Sequence, residues 1–311
     1  MMMRRYLMSC LRKNNMSKKL WILANRSDQA LSQTKRDKIS GSVAYAKKKN
    51  LPYEVIYIED IVLDTTASKK NLPGKGDFLL SVVKSETRKE KTRYILHFFQ
   101  SSGVKLVNSP DAIEIMADKW LTNSILAHAG IPVPHTRLIT LSEVYSESDF
   151  SDFSFPVVVK TPEGSLGNGV YWIENYRELE DLLSFSYSVS SKESQLLVQQ
   201  AIVASKGTDI RVIISHGTVI GAIKRTNPGH SFKANLKQGG SATLYPTDEK
   251  LIKLSKKIAS VLGVNFAGID FLVDDQKNYY LTEVNAFPGF KGFESVHTSV
   301  SLVQELVDRY L

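Results

Sequence analysis

Phe266-Ala-Gly-Ile-Asp270-Phe-Leu-Val273, a polar turn from Asp274 to Asn278, then Tyr279-Tyr-Leu-Thr-Glu283-Val-Asn285 is the stretch from which the fold is read. Two apolar runs rich in β-branched and aromatic residues on either side of a turn spell a β-hairpin. With Asp275-Gln276-Lys277-Asn278 as the loop, Val273 faces Tyr280 and Asp270 falls opposite Glu283. Residues directly opposed, and residues two apart on one strand, share a sheet face. Asp270, Glu283 and Asn285 therefore project together from an otherwise hydrophobic hairpin. Three oxygen donors, two of them anionic, suit Mg²⁺, which takes a few carboxylates plus substrate phosphates. A polar sheet face in water is the alternative that the hairpin alone leaves open.

Outward from the hairpin, the chain has 311 residues, 42% of them hydrophobic, a composition that fits a globular protein of about two domains. No apolar run approaches the ~18 residues that span a membrane, and the basic start has no apolar signal-peptide core. The expectation is a cytoplasmic protein without a membrane partner. Residues 1–16 read as a disordered extension, since Met16 precedes the first strand directly. Cys10, in that extension, is the only cysteine, which excludes disulfides, a zinc cluster and a cysteine nucleophile inside the fold. The six histidines are scattered, and no Ser-His-Asp set has supporting spacing. Charge is divided unevenly: residues 1–112 carry 22 Lys/Arg against 10 Asp/Glu, and residues 113–311 carry 18 against 22. A basic first part can attract nucleic acid, an acidic peptide or a phosphorylated small molecule, or it can be ordinary solvated lysine.

Before the hairpin, Leu20-Trp-Ile-Leu-Ala, a helix over Lys35–Lys49 and Tyr53-Glu-Val-Ile-Tyr-Ile give strand, helix, strand, a parallel βαβ unit. No Gly-x-Gly-x-x-Gly follows the first strand, so the dinucleotide fingerprint is absent. Lys84–Arg93 reads as a charged helix leading into a strand at Tyr94–Phe99 that packs His97. Asp111–His128 reads as one helix carrying Asp118-Lys119-Trp120 and stopped by Gly130-Ile-Pro. Phe155-Pro-Val-Val-Val-Lys160 is a strand ending on lysine, and Thr161–Gly169 is a glycine-rich loop whose N–H groups can close over phosphates. It is not a Walker A loop, lacking Gly-Lys-Ser/Thr and a following helix. Gln195-Leu-Leu-Val-Gln-Gln200 is a strand. Asp209-Ile-Arg211 opens a second hairpin turning at His216-Gly217. Alternation in that hairpin puts Lys224 with Asp209 and Arg211, and Arg225 on the opposite face unless the strand has ended there. Glu249–Leu262 is an amphipathic helix.

The order is specific: Asp-Lys on a helix, strand lysine, glycine loop, Val-Gln-Gln, Asp-Ile-Arg, Asn235-Leu-x-x-Gly-Gly, then Asp270…Glu283-x-Asn285. This series, spread over residues 115–292, resembles the ATP-grasp superfamily and, within it, the ribosomal protein S6 modification (RimK-like) group of carboxylate–amine ligases. The resemblance implies an α/β fold: a small parallel-sheet domain at 17–112, then a two-lobed ATP-grasp domain at 113–311. It implies that Lys119 and Lys160 contact ATP phosphates and that the backbone at Gln200 and Ala201 meets the adenine. Asp209 would meet the ribose, and Lys233, Ala234 and Asn235 would line the phosphate end. Asp270, Glu283 and Asn285 would hold two Mg²⁺ or Mn²⁺ ions, and Arg211 and Arg225 would serve catalysis at the acyl phosphate or substrate carboxylate. The loop Gly164–Gly169 would act as a lid. Gln200 stands where the family usually has Glu, and Lys233 where it has Arg. Phe287 stands where glutamate-adding members carry Ser, which leaves the amino acid open.

The implied reaction is ADP-forming: a substrate carboxylate becomes an acyl phosphate, and an amine displaces phosphate. Its partners would be an amino acid, glutamate-like, and an anionic carboxylate-bearing peptide, protein or cofactor, with homo-oligomerisation left open. The alternatives are a ligase of two small molecules, as in D-alanine–D-alanine or glutathione synthesis, and a basic nucleic-acid-binding protein. The last predicts steeply salt-dependent binding and no ATP turnover, and no RNA-binding signature accompanies the basic excess.

Overall fold

The computed structural model describes residues 18–26, 33–65, 71–83, 89–164, 169–191, 193–227, 232 and 240–311. The expected extension at 1–16, the tip of the glycine loop (165–168) and Lys233, Ala234 and Asn235 lie outside the described residues. The chain forms two compact units.

The first unit is built on strands β1 (Leu20–Ala24), β2 (Tyr53–Tyr57), β3 (Phe78–Ser81) and β4 (Lys105–Leu106), with helices α1 (Gln33–Lys48) and, from Tyr94 on, α2 (Lys89–Ser101). The sheet order is β2-β1-β3-β4 and every pairing is parallel. Strand β1 is buried along its whole length, as its unbroken apolar run requires of a strand covered on both faces. The closing residues 303–311 belong to this unit. Tyr310 stacks on Phe78 at 4.4 Å, and the Tyr45 hydroxyl donates to Asp308 at 2.6 Å. The strand expected at Tyr94–Phe99 is instead the second half of α2. Thr92, Ile95, Leu96 and Phe99 are buried at spacings of three and four, so the helical period overrides the β preference of Tyr, Ile and Phe. Strand β3, unremarked in the sequence, is fully buried.

The second unit carries two antiparallel sheets. Helices α3 (Pro110–Ala117) and α4 (Lys119–His128) lead into β5 (Thr136–Thr140), β6 (Val157–Lys160), β7 (Val170–Ile173), helix α5 (Tyr176–Val189) and β8 (Gln195–Gln200). Its first sheet has the order β5-β8-β6-β7. Phe150, Phe153, Val157, Val159, Ile173, Leu179 and Val198 form a buried core there, each contributing roughly 1.5–3 kcal/mol if its side chain would otherwise be wet. The expected single helix at 111–128 is two helices, because Asp118 is extended (φ −104°, ψ 114°). It closes α3, and its carboxylate accepts from Trp120 N (2.8 Å) and Leu121 N (3.0 Å) to start α4.

The second sheet contains β9 (Thr208–Ser215), β10 (Thr218–Thr226), β11 (Ser241–Tyr245), β12 (Phe266–Val273) and β13 (Tyr279–Asn285), in the order β11-β10-β9-β12-β13. Helix α6 (Glu249–Leu262) packs on β9, β10 and β12 and buries Leu251, Ile258 and Leu262. Gly263, at φ 63°, ends it in the left-handed conformation that glycine adopts without strain. No helix among the described residues is long and apolar enough to cross a membrane.

Candidate active site

The charged face of the second sheet is set by two β-bulges. In the hairpin β9–β10 the register slips between Val219 and Gly221, so Asp209 pairs with Arg225. Uninterrupted alternation from the His216-Gly217 turn, the expectation above, pairs Asp209 with Lys224. The extra residue turns Arg225 onto the face of Asp209 and Arg211 and leaves Lys224 exposed. In β12–β13, Val273 pairs with Tyr279, not Tyr280, because the loop takes five residues. Asp274 accepts from the N–H of Gln276 and Asn278, and Lys277 turns the chain at φ 61°. The second bulge then restores the expected pair, placing Glu283 opposite Asp270. Without it Thr282 would stand there. Thr282 instead bonds the Asp270 carbonyl at 3.1 Å.

The resulting row is Arg211–Asp270–Glu283 across three strands, beside Arg225–Asp209. Arg211 grips Asp270 with two bonds, Nε to Oδ1 at 2.7 Å and Nη2 to Oδ2 at 2.6 Å. Arg225 bonds Asp209 twice at 2.5 Å and reaches Asp270 Oδ2 at 2.8 Å. Such forked, charge-assisted bonds are among the strongest available to side chains. Burial pushes the Asp270 carboxyl up, but Arg211 and Arg225 outweigh it and hold the group below its ordinary range. Among the described residues Asp209 is ion-paired with Arg225 alone; its burial prevails and raises it, so Asp270 is the stronger acid of the two. Burial works against the charge of Arg225, yet Asp270 and Asp209 raise its pKa, so it is permanently cationic. Asn285 points its amide oxygen at Arg211 Nη2 (3.3 Å) and its nitrogen at Glu283 Oε1 (3.2 Å). Glu283 makes no ion pair among the described residues.

The first sheet supplies the amines. Lys160, 6% exposed at the end of β6, donates to Gln199 Oε1 at 2.8 Å. Gln199 is itself held by Thr136 Oγ1 at 2.7 Å. Burial and then the neighbouring Lys119 lower the Lys160 pKa to about 8, while Glu283 pulls it back up. Lys119 is the first residue of α4. Its N–H donates to Pro162 O (2.9 Å) and its ammonium to Gly164 O (3.1 Å), tying that helix to the start of the glycine loop. Gln200 N donates to His135 O (2.8 Å) and Ala201 N to Pro156 O (3.3 Å), and the Gln200 amide is tied to Ser154. Gln199 is missing from the residues expected in the site. Strand alternation could have found it, since Gln199 lies two residues from Leu197, the direct partner of Lys160.

A sheet face bearing hard anionic oxygens, buried guanidiniums and, from a second sheet, ammonium groups is built for polyanionic phosphate and a divalent cation. Two carboxylates and an amide oxygen are the donor types a hard cation takes; Glu283 has no ion pair among the described residues, whereas Asp270 and the Asn285 oxygen would reach a cation by giving up part of their pairing with Arg211. No cluster of three or more His, Cys, Asp or Glu exists among the described residues, so substrate oxygens would complete the shell. The model of the RimK-like ATP-grasp domain matches residues 116–309. The chain belongs to the RimK-like ATP-grasp family. It is 31% identical to the glutamate–LysW ligase ArgX of Sulfolobus acidocaldarius over 69% of this chain and 75% of that one. It is 25% identical to human beta-citrylglutamate synthase B over 90% of this chain and 74% of that one. Among solved structures, the D-alanine–D-alanine ligase of Bacillus anthracis in complex with ATP shares the fold. Its TM-score is 0.67 at 19% identity, over 94% of this chain and 95% of that one. This ATP-grasp protein is thus an ADP-forming acid–amino-acid ligase, using ATP and a divalent metal ion to join a carboxylate to an amine.

Proposed function

We propose that this ATP-grasp ligase adds a glutamate-like amino acid to a carboxylate of an anionic peptide, protein or cofactor acceptor, in the cytoplasm. The observation that carries the reading is the Arg211–Asp270–Glu283 row beside Asn285, with Lys160 within electrostatic range of Glu283. Relatives that attach or incorporate glutamate, by their names, support the amino acid. Phe287, against the serine of glutamate-adding members, is the point at which the amino acid could differ.

In this reading Lys119 and Lys160 bind the ATP phosphates, and their charge offsets what accumulates as the γ-phosphoryl group moves. Lys233, Ala234 and Asn235 line the same end. The adenine lies against the backbone of Gln200 and Ala201, whose N–H groups are already engaged, so carbonyl oxygens make that contact. Asp270, Glu283 and Asn285 hold two Mg²⁺ or Mn²⁺ ions, which supply charge neutralisation at the phosphates when bound. Arg211, more exposed than Arg225, orients the substrate carboxylate for attack on the γ-phosphate. Arg225 is 5% exposed and bonded to two carboxylates, which suits holding Asp270 and Asp209 in place. The acyl phosphate is then attacked by the incoming amine, forming the amide and releasing phosphate. No protein nucleophile is required. Asp209 meets the ribose only if it gives up part of its pairing with Arg225.

The test is a screen of amino acids against carboxylate acceptors with purified protein, following ADP and phosphate. Stoichiometric ADP release with amide formation is expected for a glutamate-like donor. AMP and pyrophosphate as products, or no turnover with any pair, would overturn the reading.

A further inference from the structure

Beside the charged row lies a second row on the same face, running Gly221–Ile213–Gly268–Asn285 across β10, β9, β12 and β13. Two of its four positions have no side chain, and both lie under the segment that follows Asn285. A Cβ on Gly268 would stand 2.8 Å from Pro288 Cβ and 3.5 Å from Arg211 Cδ. A Cβ on Gly221 would stand 2.7 Å from His297 Cε1 and 3.1 Å from Phe293 Cζ. Neither glycine has a positive φ, so the backbone itself does not require glycine here. The space does. Pro288 Cβ is part of a rigid ring, so making room at Gly268 means moving the backbone of the loop, not swinging a side chain aside.

The far end of the segment is fixed independently. Helix α7 (Phe290–Glu294) buries Phe290 and Phe293. His297 stacks on Phe293 at 4.3 Å, and its Nε2–H donates to Ala222 O at 3.0 Å. Gly221 is also the residue at which the β10 bulge ends. The distortion that brings Arg225 onto the site face thus also opens the hollow filled by His297.

We propose that Gly268 is a positioning residue: its missing side chain lets Pro288 seat residues 286–297 directly on the sheet as the wall beside Arg211, with His297 over Gly221 clamping the other end. The wall then fixes the width of the space in which Arg211 meets a substrate carboxylate, which rests on the ligase reading above. Of this row only Asn285 is among the groups proposed to bind metal or phosphate; Gly268 and Gly221 contribute no side chain to that site, so nucleotide binding is separable from the seat.

The experiment compares the full-length protein with Gly268→Ala, Gly268→Ala/Pro288→Gly and His297→Ala by deuterium uptake, Mg·ADP affinity and ligation kinetics. In Gly268→Ala, exchange over 286–297 should rise about tenfold while β9 and β12 keep their protection. The KM of the carboxylate substrate should rise about tenfold with kcat changed less than about threefold, and Mg·ADP affinity should hold. Pro288→Gly in the same chain should return both readouts toward the parent. Parent-like exchange in Gly268→Ala, or a double variant no closer to the parent than the single one, overturns the proposal. Should Gly268→Ala fail to fold, His297→Ala decides, since it opens space: faster exchange over 286–297 supports the seat, and unchanged exchange overturns it. If no substrate pair supports ADP release, the ligase reading fails, while the exchange measurement still decides whether the seat exists.

Discussion

Replacing Glu283 by Gln removes one negative charge and almost no volume. Glu283 is half-buried and has no ion-pair partner among the described residues, so the fold loses little. A divalent cation loses one of two carboxylates. Glu283→Gln should therefore melt within a few degrees of the parent while ligation falls by at least about a hundredfold; near-parent turnover at saturating Mg²⁺ would remove Glu283 from the site. Asp270→Asn contrasts with it, because it leaves two buried guanidiniums facing a neutral amide, a loss of roughly 3–5 kcal/mol by precedent for broken buried pairs. Lys160 gives the pH dependence. Its native pKa of about 8 lies below its ordinary value. The unfolded chain therefore binds more protons between pH 8 and about 10.4, and native stability rises with pH through that window. Below pH 8 both states are protonated, and the buried charge costs the empty fold about 3 kcal/mol. Function runs the other way, since only the ammonium attracts phosphate. ATP kcat/KM should fall about fivefold from pH 8 to pH 9. Lys160→Met should raise the melting temperature of the nucleotide-free protein and remove nucleotide binding. A variant less stable than the parent would show that Lys160 has a structural role instead.

At the scale of elements, the site depends on where regular structure is interrupted. The two bulges choose which charged residues share a face, and the break at Asp118 fixes Lys119 against the glycine loop. Asp118→Ala should cost about 1 kcal/mol through the lost N-cap. It should also weaken nucleotide binding, because α4 would begin later and release Lys119. Calorimetric titration of Mg·ATP checks this, and parent-like affinity would separate the cap from the site. These interruptions also mark how far the sequence could be read. Periodicity placed α6 at Glu249–Leu262, the parallel pairing of β1 with β2 and the shared face of Asp270, Glu283 and Asn285. Alternation alone puts Lys224, not Arg225, on the face of Asp209 and Arg211, because a bulge inserts one residue with no compositional sign and inverts every face beyond it. Asp270 and Glu283 stand opposite each other, as simple alternation predicts, through two offsetting steps, a loop one residue longer and a bulge. Helical periodicity runs straight through Asp118, although an Asp followed by a helical run is also an N-cap signal. The seat of Pro288 on Gly268 was illegible, since a contact across the sheet face leaves no local pattern.

For the whole molecule, the remaining asymmetry is charge. Residues 1–112 hold 22 Lys/Arg against 10 Asp/Glu, whereas the nucleotide contacts proposed above all lie after residue 118. ATP binding therefore does not account for the basic excess. Within the first unit some of it is internally neutralised: Lys49 lies 3.6 Å from Asp308, and Arg26 and Lys19 pair with Asp60 and Glu54. Lys47 and Lys48, in the last turn of α1, have no salt bridge among the described residues. An anionic acceptor presenting its carboxylate would be drawn by such a field, whereas an uncharged acceptor would not. Exposed charges are screened over ~10 Å at moderate salt, and a buried phosphate site much less. The acceptor KM should accordingly rise several-fold between about 50 and 300 mM salt, and rise again in Lys47→Glu/Lys48→Glu, with the KM of ATP changing less than about twofold. Lys49→Glu belongs to the same series, since it too shifts the charge of the first unit by two units. An acceptor KM indifferent to both salt and charge reversal would reduce the basic excess to a solvated surface and leave the acceptor's charge to be set by Arg211 alone.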